Sequence, residues 1–434
     1  MKLYSTNNKN NISTFKEAVL KGIADDGGLF MPVELPKLPP SFFHDISKLT
    51  FKEISFIVAN NLLKDDLPVE VISKIIDSTI TFDAPLVKLN EQISTLELFH
   101  GPTLAFKDFG ARFMSAVMSY LTKDEDKEII ILVATSGDTG SAVANGFLNV
   151  KGIKVVLLYP SGRVSKIQEQ QLTTLDQNIT ALEVDGTFDD CQRLVKQAFA
   201  DASLKKHAIL SSANSINIAR LIPQSFYYFN AYGRTENKKL PFYVSVPSGN
   251  FGDLTGGLFA YKMGLPVSKF IAAVNANDVF PKYLETSVYE AKSSVRTLSN
   301  AMDVGNPSNF ARIIDLYNQS YQEIKNEIYS ASFSDIDTIG AIKEVFSKYN
   351  YIIDPHGAVG YLALKKFLAE KNQKECNGVL LETAHPSKFA DIVEKVLNKK
   401  IEIPDALQTC LVKRKKSIKI SKEYEYLKNF VLSI

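Results

Sequence analysis

Apolar positions along the chain follow two regimes. Over residues 1–82 they recur at helical spacing, in Ile54, Val58 and Leu62 and again in Val71, Ile75 and Ile76, which predicts helices with one buried face. Asp26-Gly27-Gly28 and the prolines at 32, 36, 39 and 40 break this stretch with loops. The pattern changes at Pro85–Leu89, where short unbroken apolar runs begin to alternate with longer helical patterns. The runs are Glu128–Val133, Lys154–Tyr159, Ile179–Val184, Ala208–Leu210, Phe242–Val246, Phe270–Val274 and Gly378–Glu382. None alternates strictly, so they predict strands buried on both faces. Strand and helix in turn imply βαβ units and a parallel sheet. Residues 277–350 interrupt the rhythm with loops and then helix. The expectation is an α/β chain, with a mainly helical N-terminal domain at 1–82 and the α/β region at 83–434, the latter with an insertion near 277–350.

Charge and cysteine usage narrow the class. Among 434 residues, 50 Lys and Arg face 48 Asp and Glu, a net charge of +2. That balance argues against a nucleic-acid partner, which calls for a strong basic excess. Lys413-Arg414-Lys415-Lys416 is a short cluster and reads as a solvated face. Cys191, Cys376 and Cys410 are far apart and form no CxxC pair, so a reducing, cytoplasmic setting fits better than a disulfide framework. No uncharged apolar stretch approaches the roughly 18 residues of a membrane span. The histidines are scattered, without an HExxH pair, and no GxSxG elbow is present. Neither a metal site nor a serine hydrolase is expected.

The chemistry concentrates in loops that follow strands, where ligands bind in open α/β sheets. Thr135-Ser136-Gly137-Asp138-Thr139-Gly140-Ser141 follows one strand. Its glycines and hydroxyls suit an anion at a helix start, or an ordinary capped turn. Ser248-Gly249-Asn250-Phe251-Gly252-Asp253 continues to Gly256-Gly257. It suits a phosphate cradle of backbone amides, or close helix–strand packing. Thr383, after the Gly378–Glu382 run, offers a hydroxyl to a heteroaromatic nitrogen, or a helix cap. Upstream, Lys107 sits among Leu104, Ala105, Phe106 and Phe109. A lysine desolvated there becomes nucleophilic and fit for a Schiff base; a lysine snorkelling from a helix face is the bland alternative.

These segments together resemble the threonine synthase family, in its longer form with an extra N-terminal domain. The likeness runs through Gly22–Pro32, Gly101–Asp108, Thr135–Gly140, Ser248–Asp253, Ser299–Phe310 and Thr383–Phe389. Gly22–Pro32 and Ser299–Phe310 narrow it from the wider tryptophan-synthase-β fold group. The resemblance implies two open, mostly parallel sheet lobes flanked by helices and interleaved in sequence, the fold type II arrangement. It implies pyridoxal 5′-phosphate as cofactor and a lyase of amino-acid biosynthesis that turns O-phospho-L-homoserine and water into L-threonine and phosphate. Lys107 would hold the cofactor and serve as base and acid. Gly249, Asn250, Phe251, Gly252 and Asp253 would surround the cofactor phosphate, and Thr383 would contact the pyridine nitrogen. Thr135, Ser136, Gly137, Asp138 and Thr139 would hold the substrate carboxylate. The substrate phosphate needs a polar, cationic site of its own, for which Lys166, Asn217 and Arg220 are the candidates, with Arg112 a weaker one. The expected partner is the small-molecule substrate alone, with the chain a monomer or homodimer.

Overall fold

The fold is taken from a computed structural model that describes residues 1–123, 125 and 127–434. The N-terminal region opens with strands β1 (Lys2–Ser5), β2 (Asn8–Thr14) and β3 (Phe30–Pro32). They form an antiparallel sheet in the order β2-β1-β3. This sheet is absent from the sequence reading because β2 is polar and exposed at most positions, so it carries no apolar signal. The anticipated helices follow at Phe51–Leu63 and Val69–Thr79. In the first, Thr50 and Glu53 close a capping box. Ile54, Val58 and Leu62 are all buried.

The remaining strands are β4 (Leu86–Lys88), β5 (Ile93–Glu97), β6 (Ile129–Ala134), β7 (Ile153–Pro160), β8 (Ile179–Asp185) and β9 (Ile209–Ser211). After them come β10 (Phe242–Pro247), β11 (Lys269–Val274), β12 (Ile328–Ser332), β13 (Asn377–Glu382) and β14 (Ile418–Ser421). They build two sheets flanked by helices. One has the order β12-β11-β10-β13-β5-β4, the other β14-β8-β7-β6-β9. Every pairing in both is parallel except β4 with β5. The fold is therefore α/β with two open, mostly parallel lobes. The chain passes from the first sheet to the second after β5, returns at β10, and visits the second again at β14.

Burial explains the unbroken apolar runs. All residues of β6 and β10 are buried, because helices cover both faces of each sheet. The short strand β12 falls in the region read as loops and then helix; it follows the helix Tyr321–Glu327 directly. The basic cluster near the C-terminus is tied to acids of the second lobe. Lys415 pairs with Glu169 and Glu183 at 2.6 and 2.7 Å, and Lys416 with Asp176. No helix among the described residues is long and apolar enough to cross a membrane.

Candidate active site

The carboxyl ends of β6, β10 and β13 open on one cleft of about 1960 Å³, which the N-terminal segment 21–29 also lines. Lys107 stands on its wall as the first residue of the helix Lys107–Leu121. The segment leading to it is held in an unusual shape. Leu104 has φ +57°, a left-handed conformation that a bulky residue adopts only when its surroundings impose it. Three sets of contacts do so. Asp108 accepts the Thr103 amide and hydroxyl at 2.9 and 2.7 Å. Lys388 and Gln171 donate to the Thr103 carbonyl at 2.8 and 3.2 Å. Ala105 bridges Ala384, and the Phe106 amide donates to the Thr383 carbonyl at 2.9 Å. Lys107 and Thr383 are thus joined through backbone.

The Lys107 ammonium lies 3.9 Å from Asp138 Oδ2 and 4.8 Å from the Phe106 ring centroid. Burial lowers the lysine's pKa; Asp138 opposes this, while Lys388 and Arg220 add to it. The result favours the neutral amine that nucleophilic chemistry needs. Asp138 itself is held well below the usual carboxylate range. Burial resists its ionisation, but Lys388 and Lys107 outweigh that.

In the loop after β6, Thr135 Oγ1 accepts the amides of Gly137 and Gly140 at 3.0 and 2.9 Å, so this hydroxyl closes the turn. Gly137 has φ +141°, and a Cβ there would sit 2.5 Å from the Gln168 side chain. Thr135, Ser136, Asp138 and Thr139 line the cleft, and Gly137 lies behind them under Gln168. After β10, both readings of the glycine-rich loop hold, for different glycines and, at Gly249, together. A Cβ on Gly256 or Gly257 would press on Gln224 or Tyr228 at 2.8 or 2.6 Å, so these two serve helix packing. Gly249 and Gly252 line the cleft where the helix Gly252–Lys262 begins. Asn250 donates to Ser215 Oγ at 2.7 Å. Asp253 turns its Oδ1 to the Tyr227 and Tyr228 hydroxyls at 2.6 and 2.8 Å. Burial pushes its carboxyl up to about 6 against those two hydrogen bonds.

The phosphate-site candidates are placed differently from one another. Arg220 is buried on the cleft wall and donates to the Ala213 carbonyl at 2.6 Å. Asn217 is buried behind the wall; its amide holds the carbonyls of Val19 and Ser212 at 2.9 and 3.0 Å and its oxygen caps Ala219. Lys166 is exposed at the start of a helix outside the lining. Arg112 donates to the Ser78 and Thr79 carbonyls, closing the end of the helix Val69–Thr79. Sequence reasoning assigned no role to three further residues, one behind the cleft wall and two on it. Lys388 is fully buried and paired with Asp138 Oδ1 at 2.8 Å. His356 lines the wall, shares a hydrogen bond with Asp354, and accepts the Ala301 amide at 3.2 Å. Arg163 also lines the cleft. Nothing in the local sequence marks His356 or Arg163.

The lining suits a polar ligand. Asn214 Oδ1, Arg220 Nε, Gln224 Oε1 and Asp253 Oδ2 are buried on cleft residues without a partner among the described residues. A buried polar atom left in that state costs about 1–3 kcal/mol, which a bound polar group would offset. Beside them stand the Gly249–Gly252 backbone and a desolvated lysine. These residues fit pyridoxal 5′-phosphate.

Fold and site define a pyridoxal-phosphate-dependent enzyme, and the family model described as pyridoxal-phosphate dependent enzyme matches residues 80–381. Two further models match the remainder, threonine synthase N terminus over 2–80 and threonine synthase, C-terminal over 357–431. The chain is 42% identical over 434 residues to the threonine synthase of Buchnera aphidicola subsp. Acyrthosiphon pisum (strain APS), covering 100% of both. The crystal structure of threonine synthase from Escherichia coli superposes with a TM-score of 0.93 at 40% identity, covering 100% of both chains. The structure of PLP-bound threonine synthase from Brucella melitensis also gives 0.93, at 31% identity, over 100% of this chain and 99% of the other. The chain belongs to the threonine synthase family, and its cofactor is pyridoxal 5′-phosphate.

Proposed function

We propose that the chain converts O-phospho-L-homoserine and water to L-threonine and inorganic phosphate, by loss of phosphate from Cγ and addition of water at Cβ. The observation that carries this reading is a desolvated Lys107 amine facing a cleft lined by a glycine loop on one side and Thr135–Thr139 on the other. When bound, the cofactor supplies an electron sink for charge developed at the substrate's Cα and Cβ.

Lys107 is the residue to which the cofactor attaches. Its Nζ would take the Cα proton and then move protons at Cβ. Gly249, Asn250, Phe251 and Gly252 offer backbone amides to the cofactor phosphate at a helix start. Asp253 braces that loop through Tyr227 and Tyr228. The Thr383 hydroxyl, on the cleft wall, would partner the pyridine nitrogen, a neutral group there favouring the unprotonated ring. Ser136 and Thr139, with the turn closed by Thr135 and Gly137, hold the substrate carboxylate, and Asp138 faces the amines of Lys107 and Lys388. Arg220 is the cation best placed for the substrate phosphate. Asn217 supports it by capping the short helix that carries it, and Lys166, outside the lining, would reach the phosphate only if its helix moved inward. Residues 1–82 form a domain that closes one side of the cleft, and 83–434 form the catalytic body. One chain carries every group named, so a monomer or a homodimer serves equally.

The test is substrate choice. Purified, cofactor-loaded protein is expected to release phosphate and form threonine from O-phospho-L-homoserine. Ketoacid from serine or threonine, exceeding any phosphate release, would overturn the reading in favour of a dehydratase.

A further inference from the structure

Lys388 is a buried charge that the reaction scheme above does not use. Its side chain is fully buried, and a lysine in such a place is costly unless its charge is paired and hydrogen-bonded. It is both. The ammonium lies 2.8 Å from Asp138 Oδ1 and donates to the Thr103 carbonyl at 2.8 Å. Three loops meet at this one atom. Lys388 comes from the turn that follows Thr383, Asp138 from the loop after β6, and Thr103 from the strained segment that delivers Lys107.

The distances divide one carboxylate between two lysines unequally. Asp138 Oδ1 is taken by Lys388 and by Gln168 Nε2, the latter at 3.1 Å. Only Oδ2 faces Lys107, at 3.9 Å, beyond hydrogen-bonding reach. The other charged groups about Lys107 are Arg220 and Asp253. Those about Lys388 are Asp108, itself bound to Thr103, and His385, whose imidazole burial pushes down to about 4 and so keeps neutral near pH 7. Without Lys388, Asp138 would have Lys107 as its sole close cationic partner.

We propose that Lys388 is a positioning residue of this active site: it holds Asp138 by one oxygen, fixes the Thr103 end of the lysine loop, and leaves Lys107 without a close counterion. The consequence is that Lys107 parts with its proton more readily than a lysine paired to Asp138 alone. Burial and the positive charges of Lys388 and Arg220 act on Lys107 in that same direction.

The inference rests on Lys107 being the attachment point, and the experiment separates the two claims. The full-length chain, stripped of cofactor, is mixed with pyridoxal 5′-phosphate across a pH series. The covalent adduct is trapped with borohydride and measured on the peptide containing residue 107. The rate rises with the fraction of neutral amine, so its midpoint reports the lysine directly, without substrate. Lys388→Met is expected to raise the midpoint by about one pH unit, the lower end of what an opposite charge at this range produces. Attachment at lower pH should slow about tenfold. Lys388→Arg, which keeps the charge, is expected to restore the parent midpoint. Asp138→Asn, which removes the shared anion, is expected to lower it, and this arm stands if Lys388→Met does not fold. A parent midpoint in Lys388→Met, or an unchanged or raised midpoint in Asp138→Asn, would overturn the proposal. Undiminished total adduct in Lys107→Ala would instead overturn the assignment of Lys107.

Discussion

Gly249→Ala is the smallest perturbation that reaches the cofactor loop. Gly249 follows β10, and its Cα faces the segment 301–302. A Cβ built there sits 2.7 Å from the Met302 Cα and 2.8 Å from the Ala301 carbonyl oxygen, where ordinary contact begins at 3.4 Å. Both neighbours are backbone, so no side chain can swing aside. The Ala301 amide is also anchored on His356, so the 301–302 segment resists displacement. The loop must instead move toward the space that the cofactor phosphate needs. Overpacking of this kind costs about 1–3 kcal/mol. If the strain falls on the bound state, cofactor affinity drops by about 5- to 150-fold. The assay is a titration of stripped protein with pyridoxal 5′-phosphate, followed by absorbance, beside thermal melts of the stripped protein. Gly340 is the internal control. It lies within the helix Asp335–Tyr349 with nothing within 4 Å of an added Cβ, so Gly340→Ala should leave affinity alone and raise stability slightly. Parent affinity and parent melting temperature in Gly249→Ala would refute the packing argument.

Two further outcomes follow from buried groups. Asp253 has its carboxyl raised from 3.8 to about 6 by burial, so the stripped protein binds a proton there that the unfolded chain has lost. Its contribution is fully present below about pH 4 and is lost as pH rises through 6, a difference of about 3 kcal/mol. Asp253→Asn should therefore remove that slope, read as parent minus variant in urea melts at pH 4.5 and 7; parallel curves would contradict it. Arg312 is fully buried, and its guanidinium donates to the carbonyls of Phe30, Ser215 and Ile216 and to Asn309. Arg312→Met strands those carbonyls at about 1–3 kcal/mol each. It should lower the melting temperature and expose the 21–30 segment to protease, whereas a parent digestion pattern would contradict its role as the clasp of the N-terminal region.

β6 to β11 and β13 were legible because burial on both faces leaves unbroken apolar runs, as in Ile129–Val133 and Phe242–Val246, whereas β5 mixes polar and apolar residues and was missed. The N-terminal sheet was not, because β2 faces water and owes its place to pairing with β1. The short β12 lay hidden behind a helical pattern, and β14 behind a charged segment. At the site, the loops after β6 and β10 were legible through glycine and through position after a strand, and the lysine loop through the apolar neighbours of Lys107. Their division of labour was not. That Gly256 and Gly257 serve packing alone, while Gly249 lines the cleft and also packs on the 301–302 backbone, depends on what lies opposite each. Lys388 and Arg312 act across more than a hundred residues of sequence, and His356 across 55, and no local pattern reports such contacts.

The measurement that bears most directly on the whole account is phosphate release from O-phospho-L-homoserine by the cofactor-loaded parent, with Lys107→Ala run beside it under the same conditions. The account predicts release with equimolar threonine from the parent and none from the variant, whose fold is intact by thermal melting. Equal release from both would remove Lys107 from the chemistry, and with it the reading of the cleft.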